Sequence, residues 1–170
     1  MISLLRVVLA VLIVVSTIAT VADDSWVVRD DGIGPAKIGM SLSEINNVLR
    51  EKWSMPEDKD EQSCFYVDSA KHAGIGFMIL DSRLARIDVD RPGVRTAKGI
   101  QVGDSEAHTL RVYGPKLKIE PHFYSGPEDH YLTIYSGDNR CGIRFETDKG
   151  KINMFYAGTS AAISLVEGCS

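Results

Sequence analysis

The chain has 170 residues, 44% of them hydrophobic and 25% charged, with 19 basic and 23 acidic residues giving a formal net charge of −4. That is enough apolar material for one domain with a buried core. The acidic balance excludes nucleic acid and anionic membrane surfaces as natural partners.

The first element in chain order is an export signal. Arg6 precedes the unbroken apolar run 7–15, and the small or polar Ser16, Thr17 and Thr20 follow. This is the basic, apolar and small-residue order of a secretory signal peptide. Thr20 and Ala22 suit the third and first positions before a cut, so 1–22 is expected to be removed and 23–170 to be a single exported domain. The alternative, an uncleaved anchor, needs ~20 apolar residues to span a bilayer, more than 7–22 supplies. No cysteine flanks the cut to carry a lipid. The expectation is a periplasmic or secreted protein with no stable membrane insertion after cleavage.

Gly32, Ile33, Gly34 and Pro35 read as a turn, because the lysine and threonine of a phosphate loop are missing. Ser41, Leu42, Ser43 and Glu44 form a capping box, and Leu42, Ile45, Val48 and Leu49 then share one face of a helix. An acidic loop at 56–61 leads to a β-rich stretch, Cys64, Phe65, Tyr66 and Val67. The segments 73–79 and 84–87 flank a polar turn at Asp81, Ser82 and Arg83, the pattern of a β-hairpin. The connector 91–99 is rich in Pro, Gly and charge. Regular structure resumes at Ile100, which makes the connector a short crossover inside one domain.

The same series then recurs. Val102, Gly103, Asp104 and Ser105 match Ile38, Gly39, Met40 and Ser41, and Asp104 or Ser105 caps a second helix. Ala107, Leu110 and Tyr113 are expected on its buried face, with Gly114 and Pro115 as its stop. After a solvated loop at 125–129, a strand at 131–135 precedes a hairpin in which 141–147 match 73–79 at a constant offset. Asn139 and Arg140 read as a turn before it. Self-similarity of this kind marks an internal repeat. The predicted fold is α+β: two tandem helix-plus-three-stranded antiparallel sheet units, helix-β-β-β used twice, in one compact domain. Repeat 1 covers about 33–91, repeat 2 about 99–158, and a C-terminal segment 159–170.

A glycine-containing capped helix start followed by three strands, doubled, resembles the β-lactamase inhibitory protein. A single such unit resembles the small lipoprotein of the outer-membrane β-barrel assembly machine. The stretches 85–89 and 96–103 are similar to an uncharacterised, envelope-stress-regulated lipoprotein family of enteric bacteria. The resemblance implies an exported α+β protein that binds or scaffolds and offers no catalytic residues to carry over.

Cys64, Cys141 and Cys169 all lie in the exported part, where oxidising conditions favour one disulfide and one leftover thiol. Cys64 with Cys169 is the preferred pair because it would tie down a C-terminus that otherwise frays. Cys141 with Cys169 is the alternative.

Three kinds of chemistry are weighed. His122, Glu128, Asp129 and His130 are zinc-ligand types, but their spacing fits no zinc template. Cys141 lacks the surroundings of a nucleophile. Asp88 and Asp90 share a strand face beside Arg86 and Arg91, which reads as a salt-linked surface. The aromatic and histidine residues His122, Tyr124, His130, Tyr131 and Tyr135 are the candidate binding residues, presented on a sheet face opposite the helices. The function expected is a non-enzymatic binding or envelope accessory protein of inhibitor or immunity type, with a protein partner in the envelope and no cofactor. An exported cysteine- or metal-dependent hydrolase is the alternative.

Overall fold

A computed structural model describes residues 26–169, so the export signal expected at 1–22 lies outside the described residues. The architecture is mixed α+β, with two helices and two sheets of four and seven strands. No helix among the described residues is long and apolar enough to cross a membrane.

The first three strands in the chain belong to the small sheet. Strand β1 (Val27–Arg29) pairs antiparallel with β2 (Gly32–Ile33), which pairs with β3 (Ala36–Lys37). The expected turn at 32–35 is therefore corrected: Gly32 and Ile33 are strand, and only Gly34 and Pro35 make the bend. Gly32 is required there, since a Cβ would lie 2.2 Å from the Ala36 carbonyl oxygen. Helix α1 (Leu42–Leu49) begins at the capping box read from the sequence. Glu44 N–H donates to Ser41 Oγ at 3.3 Å and Ser41 N–H donates to the Glu44 carboxylate at 2.7 Å. Ile45 and Leu49 are buried, but Val48, expected on the same face, is exposed.

Next come β4 (Cys64–Asp68), β5 (Ile75–Leu80) and β6 (Arg83–Val89), an antiparallel meander. Asp81 and Ser82, both at positive φ, close the tight β5–β6 turn. The connector then supplies β7 (Arg95–Thr96), which runs parallel to β1 and completes the small sheet. It is thus bonded into the domain.

Helix α2 (Glu106–Tyr113) is capped by Ser105, whose Oγ accepts from His108 N–H at 3.2 Å. Asp104 instead accepts from Gln101 N–H at 2.9 Å. Its buried residues are Thr109 and Tyr113, whereas Ala107 is exposed, a correction to the expected face. Four strands follow, one more than the three expected: β8 (Lys118–Pro121), β9 (His130–Tyr135), β10 (Cys141–Asp148) and β11 (Lys151–Thr159). The large sheet runs β4-β5-β6-β11-β10-β9-β8, with β6 and β11 antiparallel at its centre.

One core lies between the helix-facing side of this sheet, the two helices and the small sheet. Trp53 packs on Phe77 at 5.2 Å between ring centres, and Tyr113, Phe145 and Phe155 form a chain at 5.3 and 5.6 Å. The sheet's other face is polar and is covered in part by the C-terminal segment. This segment leaves β11, makes a 3-10 turn at Ala162–Ser164, and ends at a disulfide between Cys169 and Cys64 with Cα atoms 5.3 Å apart. Ala162 and Ile163 are fully buried against the sheet. Gly142 makes room for them, since a Cβ there would meet Ile163 Cδ1 at 2.8 Å.

Candidate binding site on the strapped face of the sheet

Alternate residues of the central strands put Tyr66, Arg86, Asp88, Tyr156, Arg144, Glu146, Tyr131 and Thr133 on the face away from the helices. Two arginines organise it. Arg86 donates from Nε and Nη2 to the Asp88 carboxylate at 2.7 and 2.9 Å, and from Nη2 to Tyr66 Oη at 2.5 Å. Its Nη1 donates to the Ala162 and Leu165 carbonyls at 3.1 and 2.8 Å. Arg144 donates to Thr133 Oγ1 at 3.0 Å, to Glu120 at 2.9 Å and to the Ile163 carbonyl at 3.2 Å. Both guanidinium groups also sit over tyrosine rings, Arg86 on Tyr156 at 4.4 Å and Arg144 on Tyr131 at 4.5 Å. The strap is therefore held through its backbone carbonyls, the acceptors an arginine fork fits.

The salt-linked surface expected around Arg86 and Asp88 is corrected on this point. Their side chains are only 5% and 15% exposed, and the pair is an interior one. Asp90 and Arg91, the other two members, remain exposed. Burial pushes the Asp88 carboxyl above its ordinary range, and the Arg86 hydrogen bonds and charge oppose that rise. Burial likewise raises the Tyr66 phenol to about 12. No buried side-chain nitrogen or oxygen among the described residues lacks a partner.

The network continues through Tyr156, whose Oη donates to Glu146 at 2.9 Å, and through Glu146 to His122 Nε2 at 3.2 Å. His122 Nδ1 accepts from Tyr124 N–H and Ser125 N–H at 3.2 and 3.1 Å. That assignment leaves the proton on Nε2, where it donates to Glu146. The His122 ring stacks on Tyr131 at 4.4 Å. The half-buried His122 imidazole thus fixes two successive amides of a tight turn, from which Phe123 and Tyr124 face outward.

Phe123 is 73% exposed and Tyr124 61%, and across from them Leu165 and Val166 are 40% and 37% exposed. These four make up half of the large hydrophobic residues that the described residues expose, and they line one open groove of about 370 Å³ with Glu167 and Gly168. The two rings meet edge to face at 4.8 Å. Tyr124 Oη donates to the Glu167 carboxylate, and that bond holds its phenol pKa up. Exposed Glu128 and Asp148 stand beyond the turn.

Of the five residues singled out from the sequence, His122, Tyr124 and Tyr131 come together here. Tyr131 is buried, His122 is half-buried and only Tyr124 is exposed. His130 is elsewhere, its Nδ1 3.1 Å from the carboxylate of Glu106 at the start of α2. Tyr135 lines a separate cleft beside α2. Phe123 had the signal of an exposed aromatic next to Tyr124 but no periodicity to show it faced outward. Leu165 and Val166 carried no signal, since only the disulfide and the arginines place them.

Asp129, expected in a solvated loop, is buried and accepts from Lys149 N–H at 2.7 Å. The described residues contain no group of three or more histidine, cysteine or acidic side chains placed to hold a metal ion. Cys141 is the free thiol, and burial followed by the charges of Asp30, Asp138 and Asp31 raises its pKa. No family model, curated protein or solved structure matches the chain.

Proposed function

We propose that this is an exported, non-enzymatic binding protein that docks a partner protein of the cell envelope on the Phe123, Tyr124, Leu165 and Val166 groove. The observation that carries this reading is the convergence of four exposed apolar side chains on a platform fixed from beneath by His122, Arg86 and a disulfide. Exposed apolar patches with polar rims are a mark of docking surfaces, and aromatic anchors dominate their energetics. The groove itself carries Glu167, a separate hollow that begins at Ser125 carries Glu128 and Asp148, and the whole chain is acidic. The occupant is therefore an apolar side chain of the partner flanked by basic residues. Catalysis through Cys141 is disfavoured, because its raised pKa suppresses the thiolate and no histidine among the described residues hydrogen-bonds to it.

The same proposal reads the two halves as copies of one helix-β-β-β unit, the second extended by β8, as in proteins resembling the β-lactamase inhibitory protein. Paired backbone bonds support it. Gly39 N–H donates to Leu84 and Leu84 N–H to Met40, while Gly103 N–H donates to Ile152 and Ile152 N–H to Asp104. Ser41 bridges Arg83 as Ser105 bridges Lys151.

Site-specific photo-crosslinkers at position 123 and at Arg95 test the docking site in intact envelopes. The expected result is one dominant adduct from position 123, none of it from position 95, and loss of the adduct in Leu165→Asp. Phe123→Ala is expected to weaken the captured partner by ~30-fold, the effect of losing an aromatic hot spot. Equal labelling from both positions would overturn the assignment.

A further inference from the structure

We propose that a second site, the cleft of about 200 Å³ between the small sheet and the C-terminal end of α2, binds a small apolar zwitterion of the α-amino-acid type. The walls are apolar: Tyr113 and Ile143 are 8% and 5% exposed, and half-buried Ile134 closes the side. Tyr113 Oη is already committed to Thr96 Oγ1 at 3.0 Å, so the ring offers the cleft its face and edge rather than its hydroxyl. At about 30 Å³ per water, the space is that of roughly six waters. This admits a single branched or aromatic side chain and excludes a peptide.

The rim supplies the charges. Lys98 Nζ stands over the Tyr113 ring at 4.7 Å and forms no ion pair or hydrogen bond among the described residues. Asp30, which also lines the cleft, is likewise without an ion pair or hydrogen-bonding partner for its carboxylate among the described residues, though it is near enough to raise the Tyr113 pKa. Arg29 differs from both: its guanidinium donates to the Gly34 carbonyl at 2.9 Å and lies 3.6 Å from Asp31. One unengaged ammonium and one unengaged carboxylate over an apolar pocket match a ligand carrying both opposite charges on one end and a hydrocarbon group on the other. Its carboxylate meets Lys98, its ammonium meets Asp30, and its side chain packs on the floor formed by the paired Ile134 and Ile143 and on the Tyr113 ring.

The site is independent of the docking groove. The probe is L-leucine, titrated into the exported domain while the methyl resonances of Ile134 and Ile143 are followed by NMR. 4-Methylpentanoate, which lacks the ammonium, and isopentylamine, which lacks the carboxylate, are the comparison ligands. The expected result is a saturable shift of both methyls with leucine, and about tenfold weaker binding of each truncated ligand. Lys98→Met erases the advantage of leucine over isopentylamine, and Asp30→Asn erases its advantage over 4-methylpentanoate. Ala97→Trp, at an exposed rim position, fills the mouth without removing a charge and abolishes the shifts. Equal binding of leucine and 4-methylpentanoate, variants that bind like the parent, or no saturable shift would overturn the proposal.

Discussion

Replacing Arg86 by methionine keeps the volume of a long side chain beneath the strap but removes the cation paired with Asp88. The Arg86 and Asp88 side chains are 5% and 15% exposed, so Asp88 is left as an interior carboxylate with Tyr66 Oη, 3.2 Å away, as its remaining side-chain partner. The Ala162 and Leu165 carbonyls lose their donor at the same time. Breaking a buried pair in this way costs about 3–5 kcal/mol, which lowers the melting temperature of a domain this size by roughly 10–15 °C. The pH dependence has a definite sign. Burial raises the Asp88 carboxyl above its ordinary 3.8, and Arg86 opposes that rise. Without Arg86 the folded-state value climbs further. A carboxyl raised by folding leaves stability whole below the unfolded value and takes it away as pH rises through the folded value. The deficit of Arg86→Met therefore narrows on acidification toward 3.8 and widens toward neutrality. Urea unfolding of the parent, Arg86→Met, Asp88→Leu and the double variant, at a series of pH values, measures each contribution. The double variant recovers most of the loss, because no uncompensated charge remains. A loss under about 1 kcal/mol in Arg86→Met, or a deficit that grows on acidification, would refute the interior-pair argument.

Two further outcomes follow from the cysteines. Cys169→Ser opens a loop whose ends are 105 residues apart and is expected to cost about 2–5 kcal/mol, with faster deuterium exchange at 162–168; an unchanged melting temperature would mean that the arginines alone hold the strap. Cys141 is expected to react with iodoacetamide at neutral pH more slowly than free cysteine, with the rate climbing steadily with pH and levelling off only above the ordinary 9.0. Rapid labelling would restore the hydrolase alternative.

Local features were legible because they depend on neighbours in sequence. The Ser41 capping box, the turns at Asp81 and Lys149, and the ends of α2 at Ser105 and Gly114 each rest on a few adjacent residues and their φ preferences. The small sheet was not legible: its strands are two or three residues long, too short for alternation to register, and β1 finds β7 only through a parallel pairing across the chain. The extra strand β8 is likewise short and ends at Pro121, so nothing in its four residues separates it from a loop.

The candidate site divides along the same line. Aromatic composition drew attention to His122, Tyr124 and Tyr131, and the expectation of export pointed to one disulfide, with Cys64–Cys169 preferred because it ties down the C-terminus. Both inferences use residue chemistry, which a sequence states directly. Which rings face solvent depended on where the segment 160–169 after β11 came to rest. Alternation along a strand says only that Arg86, Arg144 and Tyr131 share a face. It cannot say that the face is covered. That was decided when the strap placed three backbone carbonyls against the two guanidinium groups. Tertiary contact thereby turned an expected open sheet face into an interior polar layer, and left Phe123, Tyr124, Leu165 and Val166 as the apolar surface in its place.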